Sequence, residues 1–400
     1  MTQRLDTRLL HIGSATFDAK EHRAPVSLPS IRASTVRFEN MAALEAALAK
    51  RVSGQRAVTY GIGGLETHRA LEEVFMAIEQ GTYCVLSSSG LASIHLVFMS
   101  VLKSGDHVLI SDNVYGPVRT LNHTLLKRLN IEVTYFSPSL DDVESLIQPN
   151  TRMMYLESPG SLLMEMLDLP KLAAVAHDHG LVVAADNTWG TYIYEPLSLG
   201  ADISIIAGTK YINGHSDLLL GAVVTNRDDL AVDIHQMQYA LGNSVSADDV
   251  WLSLRGVRTL PVRIKEHARQ ARTVSEFLVS HPLVSRIYDP AWPSDPGHSI
   301  WQRDCKGGNG LLSVSLNCSP QAAKGLVDRL KLFGIGFSWG GFESLVQWVN
   351  PTTIELHRYW TETDKALIRL HIGLETVEDL IDDLRQALDS VQASEVLDLR

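Results

Sequence analysis

Four hundred residues, 45% of them hydrophobic and 20% charged, make a globular chain too long for one hydrophobic core, so two or more domains are expected. A formal net charge of −11 argues against general nucleic-acid or anionic-membrane binding, where a basic face is the usual footprint. No run reaches the length of a membrane span, Met1-Thr2-Gln3-Arg4-Leu5-Asp6-Thr7-Arg8 lacks the apolar core of a signal peptide, and Cys84, Cys305 and Cys318 form no CxxC pair, so no metal and a reduced, cytoplasmic setting are expected.

Residues 1–60 show weak periodicity and read as an arm, with one helix expected over 41–50, rich in strong helix formers. Thr59-Tyr60-Gly61-Ile62-Gly63-Gly64 has the glycines of a nucleotide loop, but no clear strand precedes it as the dinucleotide fingerprint requires. From about 65 to 225, helical stretches such as 169–179 alternate with buried strands expected at 107–111, 132–136, 153–157, 181–185, 203–207 and 219–224. That alternation points to a largely parallel α/β sheet. Ser87-Ser88-Ser89-Gly90-Leu91-Ala92-Ser93 opens an apolar helix. Its small residues leave backbone N–H groups for a phosphate, and simple capping by Ser89 is an equal alternative. A long helical stretch after 252–260 leads to a third region, with a Pro- and Gly-rich loop over 289–297. There a strand over 366–372 carries Arg369 inside an apolar run, either to receive a substrate carboxylate or to make a structural ion pair. The last helix is capped by Thr376, with Asp379 three residues on. Its apolar face is Val377, Leu380, Ile381, Leu384, Leu388 and Val391.

Two strand ends carry the chemistry. The run Ile203-Ser204-Ile205-Ile206-Ala207 is followed by Gly208-Thr209-Lys210, and Leu181-Val182-Val183-Ala184-Ala185 stops at Asp186. Ligands of open α/β sheets bind at the carboxyl ends of strands. A lysine taken out of water there loses basicity and becomes an amine nucleophile; a surface lysine at a loop start is the plain alternative. A strand-end carboxylate opposite it suits pyridoxal phosphate (PLP), whose ring nitrogen such an acid keeps protonated.

At these residues the chain resembles the cystathionine β-lyase family, in the fold-type I group of PLP enzymes of cysteine and methionine metabolism. The likeness covers almost the whole length and rests on Gly208-Thr209-Lys210-Tyr211-Ile212-Asn213-Gly214-His215-Ser216-Asp217, Asp186-Asn187-Thr188-Trp189, Glu157-Ser158-Pro159-Gly160-Ser161, Arg255-Gly256-Val257-Arg258-Thr259-Leu260, Ser338-Trp339-Gly340-Gly341-Phe342-Glu343-Ser344-Leu345 and Ile368-Arg369-Leu370-His371-Ile372-Gly373-Leu374-Glu375. The resemblance implies a large, mostly parallel-sheet domain (61–255), a smaller C-terminal α+β domain (256–400), and an arm (1–60) reaching a neighbouring subunit in a homotetramer built as a dimer of dimers. It implies that Lys210 forms the imine and shuttles protons, that Asp186 pairs with the ring nitrogen, and that Tyr115 stacks on the ring. Gly90, Leu91 and Thr209 would hold the phosphate, joined by Tyr60 from a neighbour, and Arg369, Ser338 and Trp339 would hold the substrate carboxylate.

One departure from the family is Tyr60-Gly61-Ile62, where the family commonly has Tyr-x-Arg; backbone N–H groups or another arginine, such as Arg56, would take that role. Ser338-Trp339 and Ser158-Pro159-Gly160-Ser161 imply β- rather than γ-elimination, cleaving L-cystathionine to homocysteine, pyruvate and ammonia. The rivals are a lyase acting mainly on cystine, cysteine or S-conjugates, which would share every catalytic residue, and a PLP-binding regulator without chemistry.

Overall fold

The computed structural model describes residues 3–53, 55–139, 142–353, 360, 362 and 365–398. Met1 and Thr2 of the N-terminal stretch lie outside them. Seven strands, β1 (Tyr83–Ser87), β2 (His107–Ser111), β3 (Glu132–Phe136), β4 (Thr151–Glu157), β5 (Val182–Asp186), β6 (Ile203–Ile206) and β7 (Gly221–Thr225), form one sheet in the order β1-β7-β6-β5-β4-β2-β3. Strands β2 to β6 run parallel, and β7 is antiparallel to both β6 and β1.

Side chains alternate across a strand, so a sheet covered on both faces needs apolar residues at every position. Val108 and Ile110 enter one core with Tyr155, Ala184 and Ile203, while Leu109 enters another with Met154, Leu156 and Val183. This explains why the central strands read as unbroken apolar runs. Strand β1 was not anticipated, because its apolar residues are only Cys84, Val85 and Leu86 beyond Tyr83, too short a run to register without its partner β7.

A second sheet contains β8 (Val284–Tyr288), β9 (Leu311–Leu316), β10 (Gly334–Ile335), β11 (Leu345–Val349) and β12 (Ala366–His371), in the order β10-β11-β12-β9-β8. It shares a core with the helices Leu260–Ser280 and Val377–Asp398, through Val274 and Leu278 of the first and Leu380, Leu384 and Leu388 of the second. Thr376 starts the last helix, its carbonyl accepting from the N–H groups of Asp379 and Leu380, and the expected apolar face is the buried one apart from a partly buried Ile381. A fourth core joins the two sheets, with Leu86, Ile206 and Tyr211 from the first region and Leu311, Val349 and Leu367 from the second. The helix expected near the N-terminus spans Met41–Val52, capped by Asn40 accepting from the Ala43 N–H. Among the described residues no helix is long and apolar enough to cross a membrane.

Candidate active site

Parallel pairing puts Glu157, Asp186 and Ile205 side by side at the carboxyl ends of β4, β5 and β6. The chain leaving β6 folds into a tight turn in which the Lys210 N–H donates to Ala207 O (3.1 Å) and the Gly214 N–H donates to Lys210 O (2.8 Å). Lys210 Nζ donates to Ser338 Oγ at 2.9 Å and lies 5.4 Å from the centre of the Trp339 ring. Burial, helped by the Arg369 charge and opposed by Asp186, lowers the Lys210 ammonium to about 8. An amine held there is available as a base or nucleophile near neutral pH.

Asp186 is buried, and its Oδ1 accepts the Thr188 N–H at 2.9 Å while the Tyr155 hydroxyl stands 3.4 Å from Oδ2. Burial raises its pKa, partly offset by hydrogen bonds from Thr188 and Tyr155 and by Lys210. Glu157 beside it accepts the Tyr115 N–H at 2.6 Å, and burial together with the Asp186 charge pushes its carboxyl well above the ordinary range. The motif containing Glu157 assigns that acid no role by itself. Its signal was the one that identified Asp186: an acid closing an apolar strand. Tyr115 itself is 44% exposed, at the start of the helix Gly116–Leu121. Burial, Asp186 and Glu157 raise its phenol pKa.

The helix Gly90–Val101 begins beside the Lys210 turn. Ser89 Oγ accepts the Ala92 N–H at 3.1 Å, so the capping alternative holds for that hydroxyl. The approach is close enough to require glycine twice: a Cβ on Gly90 would lie 2.5 Å from Ala207 Cβ, and one on Gly221 would lie 2.3 Å from Ser89 O. Asn243 fixes the turn from the other side, accepting the Ser88 N–H at 3.2 Å and donating to Ser87 Oγ at 3.1 Å. The Thr209 hydroxyl is engaged elsewhere. It donates to Leu220 O at 3.1 Å and accepts the Leu220 N–H at 2.9 Å, clamping the Lys210 turn to the start of β7. A donation to phosphate would require it to release Leu220 O.

The opposing wall comes from the second sheet. Arg369, in the middle of β12, is 6% exposed and donates to Phe337 O (2.7 Å) and Ser161 O (3.5 Å). Among the described residues no carboxylate lies within 4.0 Å of its guanidinium, so the ion-pair alternative does not hold there. Burial lowers its pKa to about 10, against the pull of Tyr115 and Glu157. Ser338 and Trp339 lead into Gly340, whose N–H donates to the buried His371 at 3.1 Å. Burial drives His371 down to about 3, so it stays neutral.

Lys210 does not line the cleft that holds Tyr60 within one chain. Tyr60 is 48% exposed and lines this cleft of about 190 Å³ with Arg51, Arg56, Ile62, Glu72 and Asn243. Arg56, suggested as a substitute cation, is taken: it pairs with buried Glu72 at 2.5 Å and donates to Leu65 O at 3.2 Å.

Residues 6–389 match the family of Cys/Met metabolism PLP-dependent enzymes. The chain is 58% identical to the cystathionine beta-lyase of Bordetella avium over 386 residues, covering 96% of this chain and 97% of that one. It is 35% identical to cystathionine beta-lyase MetC of Escherichia coli K12 over 390 residues, again 96% and 97% of the two chains. Among solved structures, cystathionine gamma synthase from Xanthomonas oryzae pv. oryzae in complex with cystathionine superposes with a TM-score of 0.88 at 28% identity, covering 98% of this chain and 100% of the other.

Proposed function

The chain belongs to the Cys/Met metabolism family of PLP-dependent enzymes, and from that premise we propose that it is a carbon–sulfur β-lyase converting L-cystathionine and water to homocysteine, pyruvate and ammonia. The observation that carries this reading is the placement of the Lys210 amine, desolvated and held by Ser338, with Asp186 and Arg369 both close enough to act on its charge.

The residues present fit PLP. Among the described residues Asp186 Oδ2 takes a long contact from Tyr155, which leaves acceptor capacity for a protonated ring nitrogen. The first N–H groups of the helix Gly90–Val101 suit a phosphate. When bound, PLP supplies an electron sink for the carbanion formed at the substrate α-carbon. In this reading Asp186 keeps the ring nitrogen protonated, Tyr115 covers the ring, and Gly90 and Leu91 hold the phosphate, with Thr209 in a supporting place. Arg369, with Ser338 and Trp339 beside it, fixes the α-carboxylate, which turns the α-proton toward Lys210. The Lys210 amine takes that proton, and the thiolate leaves from the β-carbon.

Tyr60 supports a shared site: its exposure, in a cleft that Lys210 does not line, fits a role in a neighbouring subunit. We accordingly assign residues 1–60 as the arm, 61–255 as the cofactor domain and 256–400 as the C-terminal domain of a cytoplasmic tetramer. The test is a paired assay of pyruvate and free thiol on L-cystathionine, L-cystine and L-cysteine. Turnover highest on L-cystathionine supports the reading; faster release from cystine or cysteine replaces it with a general cysteine-conjugate lyase; PLP binding without pyruvate leaves a regulator.

A further inference from the structure

Glu79 ends the helix Glu66–Glu79 and is completely buried. A carboxylate out of water normally finds a cation. Glu79 is instead held by neutral donors: Asn187 Nδ2 stands 2.9 and 3.0 Å from its two oxygens, and Ser204 Oγ donates at 2.7 Å. The nearby charge that acts on it is another acid, Glu195, and burial raises its pKa to about 8.

Its two partners sit at informative places. Asn187 directly follows Asp186, and Ser204 lies in β6, the strand that delivers Lys210. The Asn187 amide also donates to Tyr194 O at 2.9 Å, and its backbone N–H donates to Ile205 O at 2.7 Å. The next residue, Thr188, gives its N–H to Asp186 Oδ1 and accepts the Ala207 N–H on its hydroxyl at 2.9 Å. Glu79 therefore holds the residue after β5 and the second residue of β6 together, one residue from Asp186 and six from Lys210.

We propose that Glu79 is a positioning residue, a latch that fixes Asn187 and Ser204 and so sets the Asp186 carboxylate against the PLP ring and the Lys210 turn against Asp186. The proposal rests on the PLP-lyase reading above. It explains why an acid with no ion pair among the described residues is kept at this depth: burial raises its pKa to about 8, so the carboxyl group stays largely neutral near pH 7, its two oxygens meeting the Asn187 amide while the one nearer Ser204 shares a hydrogen with that hydroxyl. Glutamine offers one acceptor oxygen and brings two N–H groups toward Ser204.

The test is a mutant cycle on the full-length protein with Glu79→Ala, Asn187→Ala and the double variant, plus Glu79→Gln as the milder change. Each is read by PLP titration, the absorption spectrum of bound PLP without substrate, kcat and KM for L-cystathionine, and the thermal midpoint of the PLP-free protein. Glu79→Gln is expected to weaken PLP binding by about tenfold, the cost of losing one buried hydrogen bond. It should also shift the PLP absorption and lower kcat, with KM nearly unchanged. Because the two residues act as one unit, the double Ala variant should be no worse than the more severe single one. Additive losses across the cycle, or Glu79→Gln with wild-type PLP affinity and spectrum, would overturn the latch. Wild-type protein without PLP affinity would instead refute the functional reading, and the latch with it.

Discussion

The two walls of the cleft both bury charge, and they do so in different ways. On the large-sheet wall, Asp186 and Glu157 close adjacent strands, and each takes a backbone N–H from the loop that follows a strand: Thr188 for Asp186 and Tyr115 for Glu157. On the small-sheet wall, Arg369 sits mid-strand and, among the described residues, donates to loop carbonyls, those of Phe337 and Ser161. Among the described residues neither Arg369 nor Asp186 nor Glu157 has a direct ion-pair partner, although buried ions are costly when satisfied by dipoles alone. The difference teaches where the ligand completes the structure. The negative wall suits a cationic ring nitrogen, the positive wall suits a carboxylate, and the Lys210 amine stands between the two.

The largest effect should come from removing what stands between the walls. Lys210→Ala leaves both walls intact, so PLP should still bind, while pyruvate release falls by roughly a thousandfold or more because the base is gone. Pyruvate formation within tenfold of wild type would break the account. Next is the positive wall. Arg369→Ala should lower kcat/KM for L-cystathionine by roughly thirtyfold to several thousandfold, the range of about 2–5 kcal/mol for truncating a buried charged partner, and PLP affinity should hold. Arg369→Lys should not restore turnover, since an ammonium lacks the guanidinium's planar fork.

A third change tests whether the chain lacks a cation on the side it offers a neighbour. Ile62→Arg should tighten PLP by about tenfold to a hundredfold if a new charge-assisted contact to phosphate forms; no gain means the phosphate is already neutralised. A smaller effect is expected from pH. The PLP-free protein should take up PLP about fivefold faster at pH 8 than at pH 7 and level off above, because the neutral amine fraction saturates past a pKa of about 8. A rate still climbing toward the ordinary lysine value of 10.5 would mean that the Lys210 amine is not desolvated. Least for catalysis is Arg56→Ala, which strips buried Glu72 of its partner. It should cost stability on the order of 1–3 kcal/mol, read by denaturant titration, with PLP affinity unchanged.

Lys210, Asp186 and Arg369 were legible in the sequence because each interrupts or ends an apolar run, and a charge at such a place is informative without knowing its partner. Glu157 gives the same signal, an acid closing an apolar strand, but the strand alone does not say what it would hold. Glu79 gave a subtler one. It lies seven residues after Glu72 on the helix face that carries Leu71, Val74, Phe75 and Ile78, and both acids are buried. That spacing places an acid inside, but nothing local says that Asn187 and Ser204 meet it there. The same limit applied to Arg56, whose partner lies on another element, and to the Thr209 hydroxyl, which Leu220 engages across a turn. Strand β1 was hidden because three apolar residues become a strand only when β7 arrives to pair with them.

The central claim is that Lys210 is the amine that engages PLP between the two walls. Borohydride reduction of the PLP-loaded protein, followed by proteolysis and peptide mapping, tests it most directly. The expected result is a single pyridoxyl-bearing peptide containing Lys210; a pyridoxyl group on any other lysine, or none after reduction, would contradict it.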